Sequence, residues 1–162
     1  MWANGASYES YIGRWSRLAA RQLLNWLNVS SGAQWLDVGC GTGILSQTIL
    51  DAESPKMVVG VKPSEEYIEF ARKHIQDPCV SFRLGDAQML PVESVSYDAV
   101  VSGLVLNFVP QPGQALNEMV RAARNSCSIC MGLCICISLA YYCSNTYLQY
   151  IQYLWLAMAL AI

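Results

Sequence analysis

Five residues, Gln34 to Val38, form a short apolar run that carries the acid Asp37 near its end. Three alternating glycines follow at Gly39, Gly41 and Gly43, and a helical apolar pattern opens at Ile44. A strand, a tight turn and a helix in direct succession constrain the chain more than any other feature, because they open a βαβ unit. Glycines at alternate positions let the backbone turn sharply and come close to a ligand that side chains would exclude. The acid at the strand end can accept from, or pair with, a cationic ligand group. A dinucleotide site would need G-x-G-x-x-G. Here the third glycine falls one residue early, Ile44 stands in its place, and Asp37 adds negative charge where a pyrophosphate would sit. The remaining reading is a bare strand–turn–helix without a ligand.

The pattern continues in the same alternation. Residues 7–28 place Tyr8, Tyr11, Trp15, Leu18, Leu23, Trp26 and Leu27 near helical spacing, with arginines between them, and 28–32 break the helix. Strands are expected at 34–38, 56–61, 80–84 and 97–102, and helices at 44–50, from Pro63 to about Ile75, and from about Gln114 to Arg124. The second strand is nearly continuous in apolar residues, as a strand buried on both faces should be. Ser64 suits an N-cap, and Glu65 and Glu66 suit the first turn that follows it. Strands separated by helices imply a parallel sheet with right-handed crossovers. Ligands of such sheets bind at the carboxyl ends of the strands, so Asp37, Lys62, Asp86 and Ser102 should share one edge.

On Leu36-Asp37-Val38-Gly39-Cys40-Gly41-Thr42-Gly43, Gly85-Asp86-Ala87, Leu90-Pro91 and Tyr97-Asp98-Ala99-Val100, the chain resembles the class I S-adenosylmethionine-dependent methyltransferases. The likeness is to the widespread type 11 group that acts on small molecules, and it covers residues 7–124. It implies a Rossmann-like α/β sheet of parallel strands with crossover helices, and S-adenosyl-L-methionine as cofactor. By the resemblance, Asp37, Gly39, Cys40, Gly41, Gly43, Lys62, Asp86, Ala87 and Ser102 would surround that cofactor. Asp86 would bond the adenine amino group with the Ala87 backbone near the ring, and Ser102, Gly103 and Leu104 would lie beside the methionine moiety. Tyr8-x-x-Tyr11-x-x-Arg14-Trp15 resembles the helix that covers the cofactor in this group. Tyr11, Trp15, Asn107 and Phe108 would then border a small-molecule methyl acceptor. Plain core packing is the competing account of Trp15 and Trp26, and a surface position that of His74. Methyl transfer from a sulfonium needs alignment and desolvation more than a dedicated base, so no catalytic residue is assigned.

Two positions depart from the family pattern. At the end of the second strand the family carries an acid that accepts from both ribose hydroxyls, and here Lys62 can only donate. Losing two charge-assisted hydrogen bonds, each worth roughly 1.5–3 kcal/mol, would weaken cofactor binding by about 10²-fold or more.

The second departure follows Arg124. The twelve acidic residues, the ten basic residues and the one histidine all fall within 1–124, and 125–162 carries no charge. The positive mean hydropathy, +0.28, therefore comes largely from this tail. Relative to the seven-stranded family domain the sheet is expected to be C-terminally incomplete or altered. Three accounts of the tail stand open. One is a frameshift or gene fragment; another is membrane association through 127–162, with candidate spans Cys127–Cys143 and Tyr147–Ile162; the third is a fifth strand at Ile129–Leu139 with a closing helix at Tyr147–Leu160. Five of the seven cysteines, Cys127, Cys130, Cys134, Cys136 and Cys143, lie there, too compressed for paired zinc knuckles, so no metal is expected. Nor does Cys40 need a nucleophile role.

The expected organisation is a lid helix at 1–30, a cofactor-binding core at 31–124 and the tail at 125–162. Net charge is −2 with no basic patch, which argues against nucleic acid as a partner. Residues 1–30 carry Glu9, Arg14, Arg17 and Arg21 and lack a continuous apolar core, so no signal peptide and a cytoplasmic setting are expected. The functional expectation is an S-adenosylmethionine-dependent methyltransferase. The alternative is a truncated or frameshifted, non-catalytic relative with weak or no cofactor binding.

Overall fold

The computed structural model describes residues 5–103, 105–124 and 129–131. Five parallel strands form one sheet in the order β3-β2-β1-β4-β5: β1 Gln34–Val38, β2 Met57–Lys62, β3 Val80–Leu84, β4 Ala99–Ser102 and β5 Ile129–Met131. The helices are α1 Gly5–Leu27, α2 Ile44–Glu53, α3 Glu65–His74 and α4 Pro112–Ala122, with a 3-10 turn at Leu106–Phe108. From β1 the chain steps outward through β2 to β3, then returns to the other side of β1 as β4. That reversal puts a switch point, and hence a ligand crevice, between β1 and β4.

Side chains alternate across the sheet and divide the core in two. Trp35, Val58, Ala99 and Val101 pack with Ala20 and Leu24 of α1 and Leu45 and Ile49 of α2. Leu36, Val38, Val59, Val61 and Val100 pack with Ala115, Met119 and Ala122 of α4. A third group, Cys40, Ile68, Ala71, Ile75 and Phe82, joins α3 to the glycine loop. The C-terminal half of α1 is thus a packing helix against α2 and the sheet, while Trp26 is 36% exposed. Gly60 is required within β2, because a Cβ there would meet the Phe82 ring, which lies across it.

The expected elements form, with shifted ends. β4 begins at Ala99 rather than 97: Tyr97 makes a lone bridge to Ala123, and Asp98 meets Gln34 with its N–H donating to the Gln34 carbonyl at 2.9 Å and its carboxylate, in place of its own carbonyl, accepting from the Gln34 N–H at 2.9 Å. α4 begins two residues before the expected Gln114, since Pro112 fits the first helical turn, where no N–H is needed. Ser64 occupies the N-cap of α3 in extended conformation, but its side chain makes no capping hydrogen bond. β5 falls within the segment expected as a possible fifth strand and pairs with β4 through Val100↔Ile129, Val101↔Cys130 and Ser102↔Met131. Ile129–Met131 are the described part of the first candidate span; the rest of it, the second span, the closing helix and the other cysteines of the tail lie outside the described residues. Among the described residues no helix is long and apolar enough to cross a membrane.

Candidate functional site

Backbone hydrogen bonds lock the carboxyl ends of the first three strands together. The Gly39 and Cys40 N–H groups both donate to the Val61 carbonyl, at 2.7 and 3.2 Å, so the glycine loop hangs from the end of β2. The Gly85 N–H donates to the Lys62 carbonyl at 3.0 Å, which ties the start of the next loop to the same point. All three loop glycines are left-handed, with φ of 77° at Gly39, 56° at Gly41 and 89° at Gly43. At Gly39 an added Cβ would also overlap Val105. At Gly41 it would meet no side chain, so that turn opens onto free space.

Asp37 is buried at the end of β1. Its Oδ2 accepts from the Ser46 hydroxyl of α2 at 2.7 Å, while Oδ1 has no partner among the described residues. Burial pushes its carboxyl up to about 6, opposed by the hydrogen bonds from Ser46. A buried carboxylate oxygen left unpaired is costly, so this position suits a donor or cation brought by a ligand. Ser102 ends the neighbouring strand β4, also buried and with an unpartnered hydroxyl. Strand alternation sends its side chain to the α4 face, opposite that of Asp37. Cys40 is buried, and desolvation, followed by the charge of Asp37, pushes its thiol well up. That favours the neutral thiol over a nucleophilic thiolate.

A cleft of about 130 Å³ opens beside the loop, lined among others by Gly39, Lys62, Asp86, Ala87, Val105 and Phe108. Lys62 ends β2, its ammonium 5.5 Å from the centre of the Tyr67 ring. Asp86, exposed, accepts from the Gln88 N–H at 2.8 Å and from the Gln88 side-chain amide at both oxygens. Gln88 in turn accepts from the Gln111 N–H and, through its own carbonyl, from the Gln114 amide, which joins this loop to the start of α4. Phe108 is 81% exposed at the rim.

The cleft therefore brings together Gly39, Lys62, Asp86, Ala87 and Phe108 of the residues singled out in the sequence. Asp37, Cys40, Gly41, Gly43 and Ser102 lie at the same sheet edge without lining it. The side chains of Tyr11, Trp15 and Asn107 lie outside the described residues, and His74 is exposed at the end of α3 with Nδ1 2.8 Å from the Phe70 carbonyl. Val105, Val109 and Pro110 line the cleft but were not anticipated. Their role depends on how the segment after β4 folds back over Gly39, which no local motif announces.

Comparison with known proteins places these features in context. The family model described as a methyltransferase domain matches residues 36–131, from β1 through β5. A 37.1 kDa protein carried in a Streptomyces fradiae transposon is 38% identical over 68% of this chain and 32% of its own length. The malonyl-[acyl-carrier protein] O-methyltransferase of Acetivibrio thermocellus is 27% identical over 75% of this chain and 43% of its own. A Methanococcus maripaludis protein described as a putative S-adenosyl-L-methionine-dependent methyltransferase shares the fold with a TM-score of 0.70, at 20% identity over 78% of this chain and 59% of that one. The chain thus spans about a third to a half of the length of the curated relatives it matches.

Proposed function

The chain belongs to the methyltransferase-domain family, and from that premise we propose that it binds S-adenosyl-L-methionine at the carboxyl ends of β1 to β4 and passes the methyl group to a small-molecule acceptor. The observation that carries the reading is the buried Asp37 carboxylate with one unpartnered oxygen, next to a left-handed glycine turn that opens onto free space. When bound, the cofactor supplies a methyl group already activated on a sulfonium. Asp37 would meet the ligand's positive charge, Gly41 would leave room for its close approach, and Asp86, held by Gln88, would present acceptor oxygens to the adenine amino group. Phe108 at the rim, with Asn107, Tyr11 and Trp15, would border the acceptor. Its class is drawn from the resemblance to the small-molecule group.

The residues fit the cofactor at Asp37 and Gly41 and fit it poorly at Lys62, a donor-only cation beside a ligand that is itself cationic near the sulfur. The test is calorimetric binding of S-adenosyl-L-methionine to the full chain, with Lys62→Asp and Asp37→Asn alongside. The expected outcome is weak binding by the unaltered chain, tightened about 10²-fold by Lys62→Asp and lost in Asp37→Asn. Absence of binding by both the unaltered chain and Lys62→Asp overturns the reading in favour of a fold without its cofactor.

A further inference from the structure

Lys62 is the only cation among the residues lining the cleft. Among the described residues its ammonium has no carboxylate at ion-pair distance and rests over the Tyr67 ring at 5.5 Å. Carboxylates do surround the region. Asp86 lines the cleft and accepts from the Gln88 amide at both oxygens, but it makes no ion pair with Lys62. Glu65 and Glu66 lie on the first turn of α3, exposed to solvent, where salt screens them. A half-buried, unpaired cation in a concave site faces a different ligand chemistry from the acid the family carries there. In nucleotide-binding α/β folds the group at the end of the second strand reads the ribose: an acid accepts from its hydroxyls, and a nearby cation accommodates a phosphate in their place. The spacing here, from Gly41 to Lys62, is the one that rule describes, about 20 residues.

We propose that Lys62 makes this cleft selective for adenosine bearing a phosphate on its ribose, the phosphate pairing with the ammonium and the nucleotide competing with S-adenosyl-L-methionine. The inference deepens the cofactor reading and rests on it for placing adenine beside Asp86. The ordering of ligands follows from charge. S-adenosyl-L-methionine brings a cation and two hydroxyls toward Lys62, whereas a 2′- or 3′-phosphate brings an anion and charge-assisted hydrogen bonds.

Calorimetry on the full chain would compare adenosine, adenosine 2′-monophosphate, adenosine 3′-monophosphate and inorganic phosphate. At least one ribose phosphate should bind about tenfold or more tightly than adenosine, displace S-adenosyl-L-methionine, and lose its advantage as salt rises. Lys62→Ala should lose the preference and Lys62→Asp reverse it, with circular dichroism confirming the fold of each. Equal binding of adenosine and its phosphates overturns the proposal and leaves the cofactor reading intact, as does a preference that survives in Lys62→Ala. Inorganic phosphate binding as tightly as the nucleotides also overturns it, because the ribose would then contribute nothing. If S-adenosyl-L-methionine binds without being displaced by a ribose phosphate that does bind, the shared site fails. If no ribose phosphate binds, the proposal falls, and the cofactor reading falls with it only if S-adenosyl-L-methionine binds neither the unaltered chain nor Lys62→Asp.

Discussion

Asp37 at the end of β1 accepts a 2.7 Å hydrogen bond from Ser46 on the first turn of α2, and this bond joins the acid before the glycine loop to the helix after it. The bond satisfies one carboxylate oxygen and leaves the other buried without a partner. Folding thus raises the Asp37 carboxyl from 3.8 to about 6. The native state then holds a proton that the unfolded chain has released across that interval. Stability therefore falls as pH rises from about 4 to 6, by about 3 kcal/mol for a shift of this size. Denaturant unfolding at pH 4.5 and 6.5 should show the loss, and Asp37→Asn should flatten the profile. A profile equally steep in Asp37→Asn would assign it to another group.

On the proposed reading, the same proton couples to the ligand. A cation beside Asp37 favours the charged carboxylate and must displace the proton below pH 6. Affinity for S-adenosyl-L-methionine should therefore weaken by up to about tenfold per unit of pH below 6, with proton release measured as a buffer-dependent heat. Binding that is flat from pH 5 to 7 would remove Asp37 from contact with the ligand's charge.

Gly39 and Gly41 separate two reasons for glycine. Both are left-handed, a conformation that costs an L side chain about 1–2 kcal/mol. Only Gly39 also has Val105 where a Cβ would sit. Gly41→Ala should cost about 1–2 kcal/mol and leave the core intact, whereas Gly39→Ala should cost more and be partly relieved by Val105→Ala. Chemical denaturation of the three single variants and the Gly39→Ala/Val105→Ala pair gives the coupling directly.

The strands and the turn that frame the candidate site were legible because their signals are local. β1 and β3 have the bounds expected from sequence, Gln34–Val38 and Val80–Leu84, since turn residues stop the apolar pattern on either side. Gly39, Gly41 and Gly43 announce a turn wherever they stand. Long-range pairings escaped. Tyr97 and Asp98 look like strand residues, yet Asp98 is used to hold the Gln34 N–H and the Arg124 guanidinium. Ser64 has the right chemistry for a cap but makes no such bond. Val105 reads as one more apolar residue after a strand, and only the folded chain sets it against Gly39.

Val95 carries a strain that the sequence hides. It sits at φ 54°, 61% exposed, in the loop before β4, with its N–H donating to the Arg121 carbonyl at 2.8 Å. A β-branched residue in the left-handed region is disfavoured, and its exposed side chain gains little from burial. Val95→Asn keeps the N–H and tolerates the conformation, so it should raise stability by about 1 kcal/mol. An unchanged or lower unfolding midpoint would mean that this loop relaxes away from the left-handed turn in solution.

The loop that carries Asp86 is held from behind by one ion pair. Arg121 on α4 donates to both oxygens of Glu118, each at 2.7 Å, and also to the Val92 carbonyl at 3.0 Å, the Ser94 hydroxyl at 3.1 Å and the Leu90 carbonyl at 3.3 Å. Glu118 accepts in addition from the Leu90 N–H at 2.9 Å. The Arg121 hydrogen bond, followed by that from Leu90, holds the Glu118 carboxyl below the usual range. Its contribution to stability is present above the unfolded value and is lost as pH falls through the lower folded one, opposite in sign to that of Asp37. Arg121→Ala leaves the Leu90 and Val92 carbonyls and the Glu118 carboxylate short of donors and should cost about 1–3 kcal/mol. Glu118→Gln keeps an acceptor for the Leu90 N–H and should cost less. Because Arg121 clamps residues 90–94 and never enters the cleft, its removal should speed amide exchange there before it alters ligand binding. An Arg121→Ala protein that loses binding while its loop exchange stays slow would show that the clamp acts on the site by some route other than this loop.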